Sequence, residues 1–118
     1  MSTQSEQLRD RTKAFALRIV RLFRSLPRST EAQVLGKQLL RSGTSVAANY
    51  RAACRARSRA EFVAKIGVVV EEADESMLWL EMLSDAGIVG KEKLADLANE
   101  ARQLTAIFTA SQQTAKRK

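Results

Sequence analysis

Arginines and carboxylates fall in two adjoining blocks of this chain. Residues 28–59 carry seven Lys or Arg against one acid, Glu31, and residues 61–85 carry seven acids against one lysine, Lys65. Arginine makes bidentate contacts to phosphate and to carboxylate alike. The blocks therefore allow two chemistries. In one, Lys37, Arg41, Arg51, Arg55, Arg57 and Arg59, with Arg18, Arg21 and Arg24 nearer the N-terminus, face the phosphates of RNA or DNA. In the other, the same arginines pair with the acids that follow them, within or between subunits. The net charge of +7 favours a polyanion partner.

Other chemistries are excluded by what is missing. There is no histidine, so Ser-His and Cys-His nucleophilic catalysis, histidine proton transfer and histidine metal ligation are out of reach. Cys54 is the only cysteine, which rules out an intrachain disulfide and fits a reducing cytoplasm. Glu71 and Glu75 stand one helical turn apart, a spacing that can share a hard cation, but no second carboxylate-bearing segment matches them. No catalytic residue, metal or cofactor is expected, and the chain is taken as non-enzymatic.

The elements that carry these groups are helices. One proline, five glycines and a hydrophobic share of 45% describe a single all-α domain over residues 1–118, with flexible ends at about 1–6 and 115–118. At ~100° per residue, Leu8, Phe15, Ile19, Leu22, Phe23 and Leu26 share one face of a helix over about 7–25, which Pro27 ends. A second helix starts near Ser29 or Thr30, where Thr30-Glu-Ala-Gln33 fits a capping box. It turns Leu35, Leu39, Ser42, Val46, Asn49 and Ala53 inward and Lys37, Arg41, Arg51 and Arg55 outward. Gly43 inside it implies close packing of a neighbour or a break. Asn49 on the inner face needs a hydrogen bond, with Asp74, Ser42 and Ser45 as candidate partners in a polar latch that sets helix register.

Ser58-Arg-Ala-Glu61 is a second capping box, opening a third helix that Gly87 stops. Its inner face is Phe62, Ile66, Val69, Ala73, Met77, Leu80 and Ser84. Val68, Leu78, Trp79, Met82 and Leu83 point elsewhere, so this helix is apolar nearly all round. A domain this small cannot cover both sides, and Val68, Glu72, Glu75, Leu78, Trp79, Met82 and Leu83 are assigned to a subunit interface. A fourth helix spans about 91–114, with Leu94, Leu97, Ala101, Leu104 and Phe108 on one face. Short connections between long helices predict an antiparallel up-down-up-down four-helix bundle that assembles as a homo-oligomer. No apolar run is long enough to cross a membrane, the N-terminus is not a signal peptide, and a cytoplasmic location follows.

The segments Leu26-Pro27, Gln38-Leu-Leu-Arg-Ser-Gly-Thr-Ser-Val-Ala-Ala-Asn-Tyr50, Arg57-Ser-Arg-Ala-Glu-Phe62 and Glu71-Glu-Ala-Asp-Glu75 resemble the bacterial four-helix-bundle family also called the 23S rRNA intervening-sequence protein or S23 family. The resemblance covers about residues 15–110. It implies an antiparallel four-helix bundle that forms a homopentamer, without enzymatic activity. A related branch, the accessory variability determinant proteins, is similar in fold, basic and pentameric, and binds nucleic acid and a reverse transcriptase. One departure stands out: where many members carry Asn-Ile-Ala-Glu-Gly, this chain has Asn49-Tyr-Arg-Ala-Ala-Cys54. The usual acid is absent and Arg51 lies beside its place. The expected function is a non-enzymatic oligomeric accessory protein that binds RNA or DNA without strong sequence preference; the alternative is a protein-binding scaffold whose arginines pair between subunits.

Overall fold

The computed structural model describes residues 3–118. Four helices follow one another: α1 (Gln4–Ser25), α2 (Thr30–Cys54), α3 (Arg59–Asp85) and α4 (Lys91–Arg117). No strand occurs among the described residues, and none of their helices is long and apolar enough to cross a membrane. Each helix packs along the next, α2 against α3 most extensively and α1 against α4 least. The N-termini of α1 and α3 and the C-termini of α2 and α4 meet around shared cavities at one end, as antiparallel packing requires. The result is an elongated four-helix bundle, 47 × 27 × 20 Å.

The helix ends have local causes. α1 begins in a reciprocal capping box that sequence inspection missed: the Thr3 hydroxyl accepts from the Glu6 amide at 3.1 Å, and the Glu6 carboxylate accepts from the Thr3 amide at 3.4 Å. The expected Thr30–Gln33 box does not form. Ser29 is the N-cap of α2 and makes no side-chain cap bond, while the Gln33 amide donates back to the Pro27 carbonyl at 2.9 Å. At α3 half of the expected box is present. Ser58 Oγ accepts from the Glu61 amide, but the Glu61 carboxylate accepts from the Arg57 amide instead of closing the reciprocal bond. Gly87 stops α3 as its sequence predicts. With φ at +73° it lets its own N–H reach the Ser84 carbonyl and the Ile88 N–H reach the Leu83 carbonyl. The ends expected to be flexible are mostly helical, since α1 starts at Gln4 and α4 continues to Arg117; residues 1–2 lie outside the described residues.

The core runs the length of the bundle. Leu8, Phe15 and Ile19 of α1 with Leu26 just beyond it, Leu39, Val46 and Tyr50 of α2, Ile66, Val69, Leu80 and Leu83 of α3, and Leu94, Leu97, Leu104 and Phe108 of α4 are its buried large residues. α2 departs from its expected face. Gly36, Gly43 and Tyr50 are buried beside Leu39, Ser42, Val46 and Ala53, whereas Asn49 and Leu35 are only half-buried. Two causes turn the helix this way. A Tyr ring removes far more apolar surface from water than an amide does, and Tyr50 packs on Phe108 with ring centroids 4.9 Å apart. The two glycines also let α1 side chains close in. A methyl at Gly36 would meet Leu26 and Phe23, and one at Gly43 would overlap Ile19, itself wholly buried. α2 is therefore unbroken at Gly43, and close packing accounts for that residue.

The polar contact that fixes α2 against α3 is a pair of buried hydroxyls rather than Asn49 and Asp74. Ser42 Oγ and Ser76 Oγ lie 2.9 Å apart, both side chains fully buried, and Ser76 also donates to the Glu72 carbonyl at 2.9 Å. Asn49 donates along its own helix to the Ser45 carbonyl at 2.9 Å, and Asp74 is exposed. α1 and α4, whose apolar contact is thin, are joined by Arg11. Its guanidinium donates twice to the Glu100 carboxylate, at 2.7 and 2.8 Å, and once to Gln103 Oε1. The Glu100 hydrogen bond holds the Arg11 pKa above its ordinary value.

Gly43→Ala tests the α1–α2 approach. Alanine gains about 1 kcal/mol of helix propensity over glycine, while overpacking a filled site costs about 1–3 kcal/mol. The variant is expected to lose about 1 kcal/mol net, measured as a lower urea midpoint; a raised midpoint would show that Ile19 yields freely.

Candidate nucleic-acid interface

The basic residues singled out by sequence divide into two kinds. Lys37, Arg51, Arg55, Arg57, Arg59, Arg18, Arg21 and Arg24 are all exposed, and none of them forms an ion pair among the described residues. Arg41 is different. It bridges two acids of α3 in its own chain, donating to Glu72 at 3.0 Å and to Glu75 at 2.7 Å. This is the arginine–carboxylate chemistry that the two blocks allow, but inside one subunit and not between subunits. The α2–α3 register set by Ser42 and Ser76 places Arg41 opposite both acids.

The two sides of this cluster respond differently. Arg41 is exposed, and its hydrogen bond to Glu75 followed by the charge of Glu72 raises its pKa. Glu72 has a side chain only 13% exposed, and there burial raises the carboxyl pKa more than Arg41 lowers it, with Glu75 adding a further upward push. Desolvation and a like charge outweigh a single guanidinium shared between two acids. Because the folded pKa lies above the unfolded value near 4.5, ionised Glu72 costs stability. That cost is present at pH above the folded pKa, shrinks as pH falls through it, and is gone below 4.5.

A groove between α1 and α2 collects four cations that were not grouped by spacing alone. Arg9 and Lys13 of α1 face Arg51 and Arg55 of α2 across a floor of Ala16, Thr44, Ala47 and Ala48, in a volume of about 500 Å³. Asp10 is the one acid on its lining. Arg9 and Lys13 are one turn apart, as are Arg51 and Arg55; that shared interval was the available signal, and it needed the α1–α2 pairing to be seen as one surface.

On α3 the residues assigned to an outer face differ in exposure. Val68, Leu78 and Met82 are exposed by 38%, 46% and 40%, with Glu75 half-exposed beside them. Leu83 is corrected: it is wholly buried in the subunit's own core and unavailable to a partner. It belongs to the same core cluster as Leu80. Trp79 is half-buried against the core, and its indole N–H is buried without a hydrogen-bond partner. Leu17 and Val34, unassigned by sequence, are also exposed.

Cys54 is a half-buried free thiol next to Tyr50. Burial, and then Cys54, push the Tyr50 hydroxyl pKa upward. An open cavity of about 750 Å³ at the same end is lined by Phe62, Ile107, Ala110 and small hydroxyl residues, with Arg59 and Lys118 and no acidic side chain. No acid–base pair converges there. Among the described residues no group of three or more Cys, Asp or Glu is placed to hold a metal ion.

The family model described as 23S rRNA-intervening sequence protein matches residues 5–110. The fold is similar to the crystal structure of a protein of unknown function from the S23 ribosomal protein family of Bacteroides thetaiotaomicron. The two are 32% identical, with a TM-score of 0.87 over 94% of this chain and 99% of that one. No curated protein matches the chain.

Removing the shared guanidinium tests the Arg41 cluster. Arg41→Gln is expected to raise the Glu72 carboxyl pKa further, followed by carboxyl carbon NMR across an acid titration. An unchanged or lowered value would show that Arg41 does not act on Glu72.

Proposed function

Since the chain belongs to the 23S rRNA-intervening sequence protein family, we propose that it is a non-enzymatic cytoplasmic accessory protein that assembles with copies of itself and holds RNA or DNA. The observation that carries the nucleic-acid part is the set of exposed cations. Eight of the nine nominated residues, all but Arg41, carry charge at the surface with no acid paired to them among the described residues. Unpaired guanidinium groups on rigid helices are suited to phosphate, whose neutralisation releases condensed counterions. The exposed cations include no base-reading motif, so sequence preference is weak. The assembly part rests on Val68, Leu78 and Met82, which a monomer leaves in water; a pentamer is the number implied by the family resemblance.

A second reading has one observation in its favour. Arg41 is already engaged by Glu72 and Glu75, so an arginine of this surface can serve structure instead of ligand. In that reading the protein is a scaffold for another protein and the remaining arginines pair across subunits.

Salt separates the two. Affinity for single-stranded RNA or duplex DNA is expected to fall steeply as ionic strength rises, and Arg57→Ala with Arg59→Ala should flatten the slope of log K against log salt by about 2. Salt-independent binding, or none at low salt, removes the nucleic-acid reading and leaves the scaffold.

A further inference from the structure

Self-assembly through the outer face of α3 needs a receiving surface. We propose that this surface is the groove between α1 and α2, so that copies join head to tail: the acidic, apolar stripe of one α3 lies in the basic, small-floored groove of the next copy. The inference rests on the self-assembly reading above and names its partner surface.

The two surfaces match in chemistry. The α3 stripe places Val68 near one end and Leu78 and Met82 toward the other, about 15 and 21 Å from it along the helix axis at ~1.5 Å per residue, with Glu71 and Glu75 between them. Glu71 is exposed and in no ion pair among the described residues, and Glu75 offers Arg41 only one of its two oxygens. The groove has cations at its rim and alanines on its floor. Glu71 and Glu75 are spaced by one turn, about 6 Å, as are Arg51 and Arg55. Small residues on the floor allow a helix to approach closely and bury Leu78 or Met82 against methyl groups.

Two alternatives fit less well. Pairing α3 with α3 of another copy would set Glu71, Glu72, Asp74 and Glu75 against the same acids, a like-charge contact that costs free energy. Nucleic acid in the groove would meet a floor without free donors, since the Thr44 hydroxyl already donates to the Leu40 carbonyl at 2.7 Å, and without an aromatic ring for a base to stack on. A head-to-tail contact uses different patches on the two copies, so it does not end at a dimer; it closes into a ring or extends. Arg51 and Arg55 then belong to the contact, and phosphate is left to Arg57, Arg59, Arg18, Arg21, Arg24 and Lys37.

Charge reversal on each surface separately and together tests the pairing. The chain, Glu71→Arg with Asp74→Arg, Arg51→Glu with Arg55→Glu, and the combined four-residue variant would be compared by sedimentation mass, with circular dichroism melts to confirm folding. The expected result is an assembled wild type, at least a tenfold weaker association for each two-residue variant, and recovery of assembly in the combined variant. An assembled wild type whose mass is untouched by Arg51→Glu with Arg55→Glu overturns this inference alone, and loss of RNA binding by that variant at unchanged mass would make the groove a phosphate site instead. Failure of the combined variant to reassemble after each pair has weakened association also overturns it. A wild-type monomer at micromolar concentration removes the self-assembly reading itself, and this inference with it.

Discussion

The buried seam between α2 and α3 sets most of what the surface can do. Ser42, Ala73 and Ser76 are small enough for the two helices to come together, and the Ser42–Ser76 hydroxyl contact is satisfied only at one register. Sliding one helix past the other by a turn would break that contact and leave each hydroxyl only the carbonyl of its own helix, Leu39 for Ser42 and Glu72 for Ser76, at a cost of about 0.5–1.5 kcal/mol for the hydrogen bond lost. Register in turn decides which charges meet. Arg41 stands opposite Glu72 and Glu75 because Ser42 stands opposite Ser76. The same register turns Val68, Leu78 and Met82 away from the core while Leu80 and Leu83 enter it.

Arg41 shows why a charged block in sequence is not yet a binding surface. By spacing it is one member of a stripe with Lys37, Arg51 and Arg55. In the fold it is the only one of these four whose side chain leans across to α3 and finds acids there. Arg51 and Arg55 sit on the α1 side of α2, where Arg9 and Lys13 add to the positive charge and only Asp10 opposes it. A difference of one or two positions around a helix is enough to move an arginine from a neutralised pair to an exposed field.

Much of the fold was legible because long helices repeat a signal. Helix number, the Gly87 stop, the Ser58 N-cap, much of the inner faces of α1 and α4 and part of that of α3 follow from periodicity and cap chemistry, while the buried Ser76 and Leu83 of α3 were missed. Legibility failed where neighbours had to be known. Asn49 and Tyr50 are adjacent in sequence, and only the ring of Phe108 and the close approach of Ile19 decide that Tyr50 turns inward. Leu83 stands on the margin of its helix face, where ~100° steps cannot separate core from interface. Arg11 and Glu100 are 89 residues apart, so no local pattern joins them. The candidate site was legible as a list of cations, while the groove that gathers Arg9, Lys13, Arg51 and Arg55 depends on how two helices pair.

The thin boundary between α1 and α4 has a dynamic consequence. Helices α2 and α3 are each gripped on two sides, whereas α1 is held broadly only by α2 and reaches α4 chiefly through the Arg11 guanidinium. The bundle is thus closer to a folded strip of four helices than to a sealed cylinder. Opening free energy will be uneven along the chain: backbone amides of α1 should exchange with solvent by local opening before those of α2 and α3, whose release requires the whole core to part.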